Sequence, residues 1–329
     1  MTHLPPLSCV SRRHLLMWAA AAGLAPLPAL GQAFPSKPIR IVTGFPGGDV
    51  DTSARLVARA LAEVLNGTVI VDTKPGASGV IATDHVAKAA GDGYTLLVAT
   101  PSSVLVAPQT MEKSTFNPLT DLKGINLISK APLAIVVNPK LGITRMKDLA
   151  ALSRTRPVTM GTNGLGTSLH VLVESLNQVY NANFKVVPYR SSAQSAVDAI
   201  AGHIDGAVST LPALVPLHEK GQLLLIGVTS PKRVSILPSV PAIAEDVAGF
   251  EMENWMGVFA PGSTPPALLE SLNAALVKAM AREDVRAQLV NSGTTPVNMA
   301  NSAEFQKFAA AEYQRFGKVI KERNIVAKE

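Results

Sequence analysis

Apolar positions at Ile39, Ile41 and Val42 give way to Gly44, Pro46, Gly47 and Gly48, and apolar residues return at Val57, Leu61, Val64 and Leu65. The spacing changes from alternation to a helical period across the glycines. It predicts strand, glycine turn and helix over residues 39–65, with Asp51 or Thr52 capping the first helical amides. The same succession recurs twice. Residues 68–71 read as a strand before the turn 74–79 and a helix over 81–89, and residues 158–161 lead through Thr162, Asn163, Gly164, Leu165, Gly166, Thr167 and Ser168 into a helix carrying Leu169, Leu172, Val173 and Leu176. Between them, a buried strand over 94–99 delivers Thr100, Pro101, Ser102 and Ser103 into a loop.

Further strands are expected over 131–137, 184–188, 206–208, 223–228 and from Trp255 onward, and helices over 143–153, from Ser191 or Ser192 to 201, and over 267–281. The last helix starts at Asn301, which forms a capping box with Glu304 and precedes Phe305, Phe308, Phe316, Val319 and Ile320 on one face, a pattern of core packing. Strands alternating with helices imply an α/β fold with parallel, doubly wound sheets. Three loops at strand C-terminal ends place a ligand in a cleft between two such units.

A glycine turn feeding a helix leaves backbone N–H groups pointing outward, and with the helix dipole these attract an anion. A nucleotide phosphate does not fit. There is no G-x-x-x-x-G-K-[ST] and no G-x-G-x-x-G, and Asp49 and Asp51 put negative charge where phosphates would lie. A hydrolase built on Ser168, His170 and Asp205 is disfavoured, because no G-x-S-x-G elbow exists and residues two apart on one helix do not face each other. His170 instead stands one turn before Glu174. His85, His203 and His218 lack metal-ligand spacing, so neither a metal nor a cofactor is expected.

Composition adds a compartment. Ser11-Arg12-Arg13-His14-Leu15-Leu16 is a twin-arginine pattern, and an apolar run from Leu15 to Leu30 ends at Gly31-Gln32-Ala33, so residues 1–33 are expected to be an export leader cleaved after Ala33. The only cysteine, Cys9, lies within it, which leaves the mature chain without disulfide or thiol chemistry. Arg12 and Arg13 are the only charges besides His in the leader, so 28 basic and 24 acidic residues remain, a net charge of +4. That excess is scattered, without the basic block that tracks nucleic acid.

Several motifs, in order, resemble the Bug family of periplasmic solute receptors of tripartite tricarboxylate transport, the TctC type. They are FPGG-x-x-D-x-x-AR from Phe45 to Arg55, KPGASG from Lys74, GDGYTLL from Gly91, G-x-G-T-S-x-H from Gly164 and VPYR from Val187. RVSILPSVP-x-IAE from Arg233, ENWMGVFAPGSTP from Glu251 and FGKVIK from Phe316 follow. The resemblance implies a type II-like periplasmic binding protein fold, with domain 1 from residues 34–131 and 254–329, domain 2 from 132–253, and a small carboxylate in the cleft. It implies contacts from the first loop (Phe45, Gly47, Gly48, Asp51), the second loop (Thr162, Asn163, Gly164, Thr167, Ser168), and Ser102, Ser103 and Ser209. The expected partners are the ligand, a mono- or dicarboxylate, aliphatic or aromatic, and the membrane subunits of a transporter. A sensor kinase in place of the transporter is the alternative, and a monomer is the expected state. Each carboxylate at a helix start gains roughly 0.3–1 kcal/mol from the dipole, so several clamps and apolar contact are needed to approach the roughly 8 kcal/mol of micromolar binding. Relative to the family the first loop is one residue short, and Ser209-Thr210 stands where an acidic or amide pair is common. A serine-threonine pair cannot salt-bridge an amine, which points to a plain acid.

Overall fold

A computed structural model describes residues 34–327; the expected leader, residues 1–33, lies outside the described residues. The fold below is that of the unit beginning at Lys37. Its chain runs through β1 (Ile39–Thr43), α1 (Gly48–Leu65), β2 (Val69–Thr73), α2 (Val80–Ala87) and β3 (Thr95–Ala99). A π-helical turn, Ser102–Val106, then leads into α3 (Ala107–Thr110), followed by β4 (Leu122–Val137), α4 (Met146–Thr155), β5 (Val158–Thr162), α5 (Ser168–Tyr180) and β6 (Phe184–Pro188). The remainder is α6 (Ser192–Ala201), β7 (Gly206–Thr210), α7 (Leu211–Glu219), β8 (Leu224–Val228), β9 (Glu253–Pro261), α8 (Pro266–Ala281), α9 (Glu283–Asn291), β10 (Thr295–Pro296) and α10 (Ser302–Glu322).

Two sheets share one strand. In the first lobe the order is β2-β1-β3-β9-β4, with β10 also against β4; in the second, β4 pairs with β7 and β8, and β7 continues to β5 and β6. The exchange of partners falls between Pro132, which pairs with Glu253 of β9, and Leu133, which pairs with Thr210 of β7. Pairs β1–β2, β1–β3, β5–β6 and β5–β7 are parallel, as the alternation of strands and helices implies. The strands β4 and β9 run antiparallel to their neighbours, because each enters a sheet from the side of the other lobe.

β4 is longer than the apolar pattern suggests. Its first half, LKGINLISK, breaks alternation with Asn126 and Ser129, and the register with β9 shifts at Gly124/Asn126 and Leu127/Ser129. Asn126 is nonetheless buried, since its side chain donates to the Met299 carbonyl and accepts from the Met299 amide, both at 3.0 Å. Against this strand sits an aromatic cluster of Trp255, Phe259, Phe305 and Phe308, in which Trp255 and Phe305 meet edge to face with centroids 5.9 Å apart. Gly257 is what admits Phe305: a methyl there would lie 2.3 Å from its ring. The face of α10 expected to pack does so, with Phe305, Phe316 and Ile320 buried.

Candidate functional site

The first loop leaves β1 at Thr43. A methyl group on Gly44 would lie 2.4 Å from the Gly79 Cα, and one on Gly79 would lie 2.9 Å from both the Phe45 ring and the Ser103 Cβ, so four residues from three segments converge on one point. The helix that follows starts earlier than Asp51 or Thr52: Gly47, at φ 72°, is the N-cap, no side chain caps the helix, and Asp49 and Asp51 lie in the first turn. The expected side-chain cap is therefore replaced by a left-handed glycine, a conformation that disfavours any β-carbon. Asp51 turns its carboxylate to Arg55, whose Nε and Nη2 donate at 2.8 and 3.3 Å, so it offers no free carboxylate to a ligand.

Ser102 and Ser103 do not occupy a loop. Both are buried in the π-helical turn that continues β3. Ser103 donates to the Thr100 carbonyl at 3.4 Å. The Ser102 hydroxyl lies 2.8 Å from that of Ser168 and accepts from the Ser168 amide at 3.1 Å. The first lobe thus reaches the first turn of α5 in the second.

The loop 162–168 is held largely by itself. Thr162 and Thr167 both donate to the Gly164 carbonyl, at 3.2 and 2.9 Å, and Thr167 caps α5 by accepting from the His170 amide. Asn163 Oδ1 is buried with no protein donor, and so is the hydroxyl of Thr43 at the foot of the first loop. Unmatched buried polar atoms are uncommon in folded chains, and these two sit at the C-terminal ends of β5 and β1. Ser209 is buried near the end of β7 and makes no hydrogen bond to the other loops among the described residues; its neighbour Thr210 donates to Asp49 at 3.4 Å.

Some contributors escape sequence reasoning. Gly164 faces Ser78, whose Oγ would be 3.9 Å from an added methyl, and Ala77 and Ser78 adopt φ 44° and 53°. The KPGASG motif was the available signal for that loop. A cavity of about 1140 Å³ opens beside it, lined by Ser78, Thr110, Met111, Leu165, Gly166 and Val326 among others. None of the residues expected to hold the ligand lines this cavity, although Leu165 and Gly166 of the second loop do.

His170 fixes the second loop through a tautomer. Its Nδ1 accepts from the Gly166 amide at 3.0 Å, while burial pushes its pKa below the ordinary 6.5 against a weaker opposing effect of Glu174. The Nδ1 lone pair of the neutral ring is thus taken by the Gly166 amide, and the Ser168 hydroxyl lies against that of Ser102. A histidine with a lowered native pKa adds stability above its unfolded pKa, and that contribution is lost as the pH falls from about 6.5 through the lower native value. The melting temperature should drop more steeply between pH 7 and 5 in the wild type than in His170→Gln; parallel profiles would contradict this assignment.

Comparison with known proteins agrees with the fold. The family description "Tripartite tricarboxylate transporter family receptor" matches residues 53–325. The chain is 33% identical over 311 residues to Protein BugT of Bordetella pertussis, covering 93% of this chain and 95% of that one. An R. palustris protein solved with adipate shares 30% identity and a TM-score of 0.80, over 89% of this chain and 99% of that one. The periplasmic binding protein BugD shares 25% identity and a TM-score of 0.78, over 90% and 100%. No helix among the described residues is long and apolar enough to cross a membrane. By sequence and by fold, the chain belongs to the tripartite tricarboxylate transporter receptor family, the periplasmic solute-binding proteins of the TctC and Bug type.

Proposed function

We propose that this receptor binds a small carboxylate, mono- or dicarboxylate, aliphatic or aromatic, between its two lobes and delivers it to the membrane subunits of a tripartite tricarboxylate-type transporter. The observation that carries the reading is the Ser102–Ser168 pair, which brings the end of β3 to the start of α5. The glycine-capped start of α1 belongs to the same cleft, and amides at helix starts are donors suited to a carboxylate. The ligand contacts are Phe45, Gly47, Gly48 and Asp51 of the first loop, Ser102 and Ser103, Thr162, Asn163, Gly164, Thr167 and Ser168 of the second, and Ser209. Asp51 contributes through its backbone, given the pairing of its carboxylate with Arg55. Domain 1 comprises residues 34–131 and 254–329 and domain 2 residues 132–253, and the adipate complex of a relative at 30% identity supports the ligand class. Export through the twin-arginine route with cleavage after Ala33 accompanies this role.

The test is a thermal-shift screen of monomeric protein recovered from the periplasm, with its N-terminus expected at Phe34, against aliphatic and aromatic carboxylates. A ligand at about 100 times its Kd should stabilise by roughly 2.7 kcal/mol, and Ser168→Ala should weaken a hit by on the order of 1 kcal/mol. A screen in which no carboxylate raises the melting temperature would remove the reading.

A further inference from the structure

The lobes are joined covalently where β4 passes from one sheet to the other at Pro132–Leu133 and where the chain re-enters the first sheet in β9 at Glu253, and Glu253 pairs with Pro132. Two crossings side by side form a hinge line, about which the lobes turn unless something away from it ties them. Such a tie lies at the far end of α10. This helix packs in the first lobe, where its Glu312 accepts from Trp255 Nε1 close to the crossing. Its last residue, Glu322, is ten residues on, about 15 Å along the axis at 1.5 Å per residue.

There the chain leaves the helix through a left-handed residue, Asn324 at φ 48°. The Ile325 amide donates to the Ile320 carbonyl at 2.9 Å and the Asn324 amide to the Lys321 carbonyl at 3.3 Å, a Schellman end in which Ile320 and Ile325 are both buried. This end carries the chain onto the second lobe. Arg323 sets Nε and Nη2 at 2.9 and 2.8 Å from the Glu174 carboxylate of α5, and Gln178, one turn further along α5, donates to Glu322 at 2.9 Å. Ala327 then returns to the first lobe, its amide donating to the Thr110 carbonyl at 2.9 Å. On the way it lies against the second loop, for a methyl on Gly166 would stand 2.7 Å from the Ala327 Cβ.

The contacts at Glu174, Gln178 and Gly166 join one lobe to the other, and moving α5 away from α10 breaks them together. The side chains of Arg323 and Glu174 are 37% and 17% exposed, so their attraction is screened less than that of a pair in open solvent. Gly166 is also the residue whose amide donates to His170, so the strap bears directly on the second loop.

We infer that residues 322–327 are an interlobe strap, a clasp that holds the second lobe against the first and must release before the lobes part. The inference goes beyond the carboxylate-receptor reading and does not depend on which ligand binds.

The test reads the distance between the lobes in ligand-free protein. Residues 34–329 contain no cysteine, so Val290→Cys in α9 and Val197→Cys in α6, at exposed positions of the two lobes, take spin labels at those sites alone. Pulsed dipolar spectroscopy then gives the distance distribution in the parent, in Arg323→Glu, which sets like charges against Glu174, and in the reversed pair Arg323→Glu with Glu174→Arg. In Arg323→Glu the ratio of parted to clasped molecules should rise about tenfold, from the loss of a pair worth up to about 1 kcal/mol and a repulsion of similar size, and the reversed pair should restore the parent distribution. An unchanged distribution in Arg323→Glu overturns the inference, also where the melting temperature falls, since the contact is then structural only. A parted population that the reversed pair leaves in place overturns it as well.

Discussion

Trp255→Ala is expected to lower the unfolding free energy by about 3–5 kcal/mol, the range for truncating a large buried aromatic side chain. Trp255 is 1% exposed, touches the rings of Phe259, Phe305 and Phe308, and donates from Nε1 to Glu312 at 3.1 Å. Removing the indole leaves a void against rings that cannot collapse, since Phe305 is already fitted into the space over Gly257. It also leaves Glu312 with Arg315 as its remaining partner among the described residues. The effect should be larger than that of Trp255→Phe, which keeps most of the ring area and loses the hydrogen bond, worth about 1 kcal/mol. Urea denaturation followed by circular dichroism measures both. A loss below about 1 kcal/mol for the alanine variant, far short of the range for a buried aromatic, would show that the cluster is not central to the first lobe.

Gly44→Ala should damage the site and the fold together. The added methyl would lie 2.4 Å from the Gly79 Cα and 3.1 Å from its carbonyl oxygen, contacts with backbone that no rotamer change relieves. The two loops must separate, at a cost of about 1–3 kcal/mol by analogy with overpacked cores. That separation moves Phe45 and Ser103, both of which bear on Gly79, and re-aims the amides of the first loop. Affinity for any ligand found in the screen should fall at least tenfold, about 1.4 kcal/mol. Unchanged stability and affinity would mean that the loops have room the structure does not show.

The fold was legible wherever one period dominated. β6, and α6 with its Ser191 cap, lie where the pattern put them, because Phe184–Pro188 is a short apolar run and a serine caps an amphipathic helix. The helix α10 is capped by Asn301, although the Glu304 carboxylate reaches the Ala300 amide and not that of Asn301, so the box closes one residue early. Other elements were hidden by residue types that vote against them. Pro212 and Pro216 lie in α7, tolerated because the first sits in the opening turn and the helix is only nine residues long. Pro108 likewise disguises the continuation of the π-helical turn into α3. The first half of β4 carries Asn126, whose partner Met299 is 173 residues away and invisible to any local pattern.

The site shows the same division. Glycine and hydroxyl segments at strand ends could be read from sequence, and the structure joins two of them through Ser102, which lies in a π-helical turn and not the expected loop, and Ser168. What could not be read is which hydroxyls are spent internally. Thr167 serves Gly164 and His170, and Ser103 serves Thr100, each through local geometry that follows from backbone angles and not from residue type. The reach of Asp49 to Thr210 spans 161 positions and depends on how two sheets meet.

The position of β9 has a consequence for synthesis. This strand, Glu253–Pro261, lies between β3 and β4, yet both of those neighbours are complete by Val137. A ribosome that has just added Val137 has residues 138–252, 115 in all, still to add before Glu253, the first residue of the missing strand. At about 5–20 residues per second that is an interval of roughly 6–23 s. Throughout it, β3 and the front half of β4 each present an open edge meant for the same absent strand, the kind of edge that pairs with other chains. The first lobe is therefore begun early and finished late. Its nascent form depends on whatever shields those edges in the cell until β9 emerges to fill the gap.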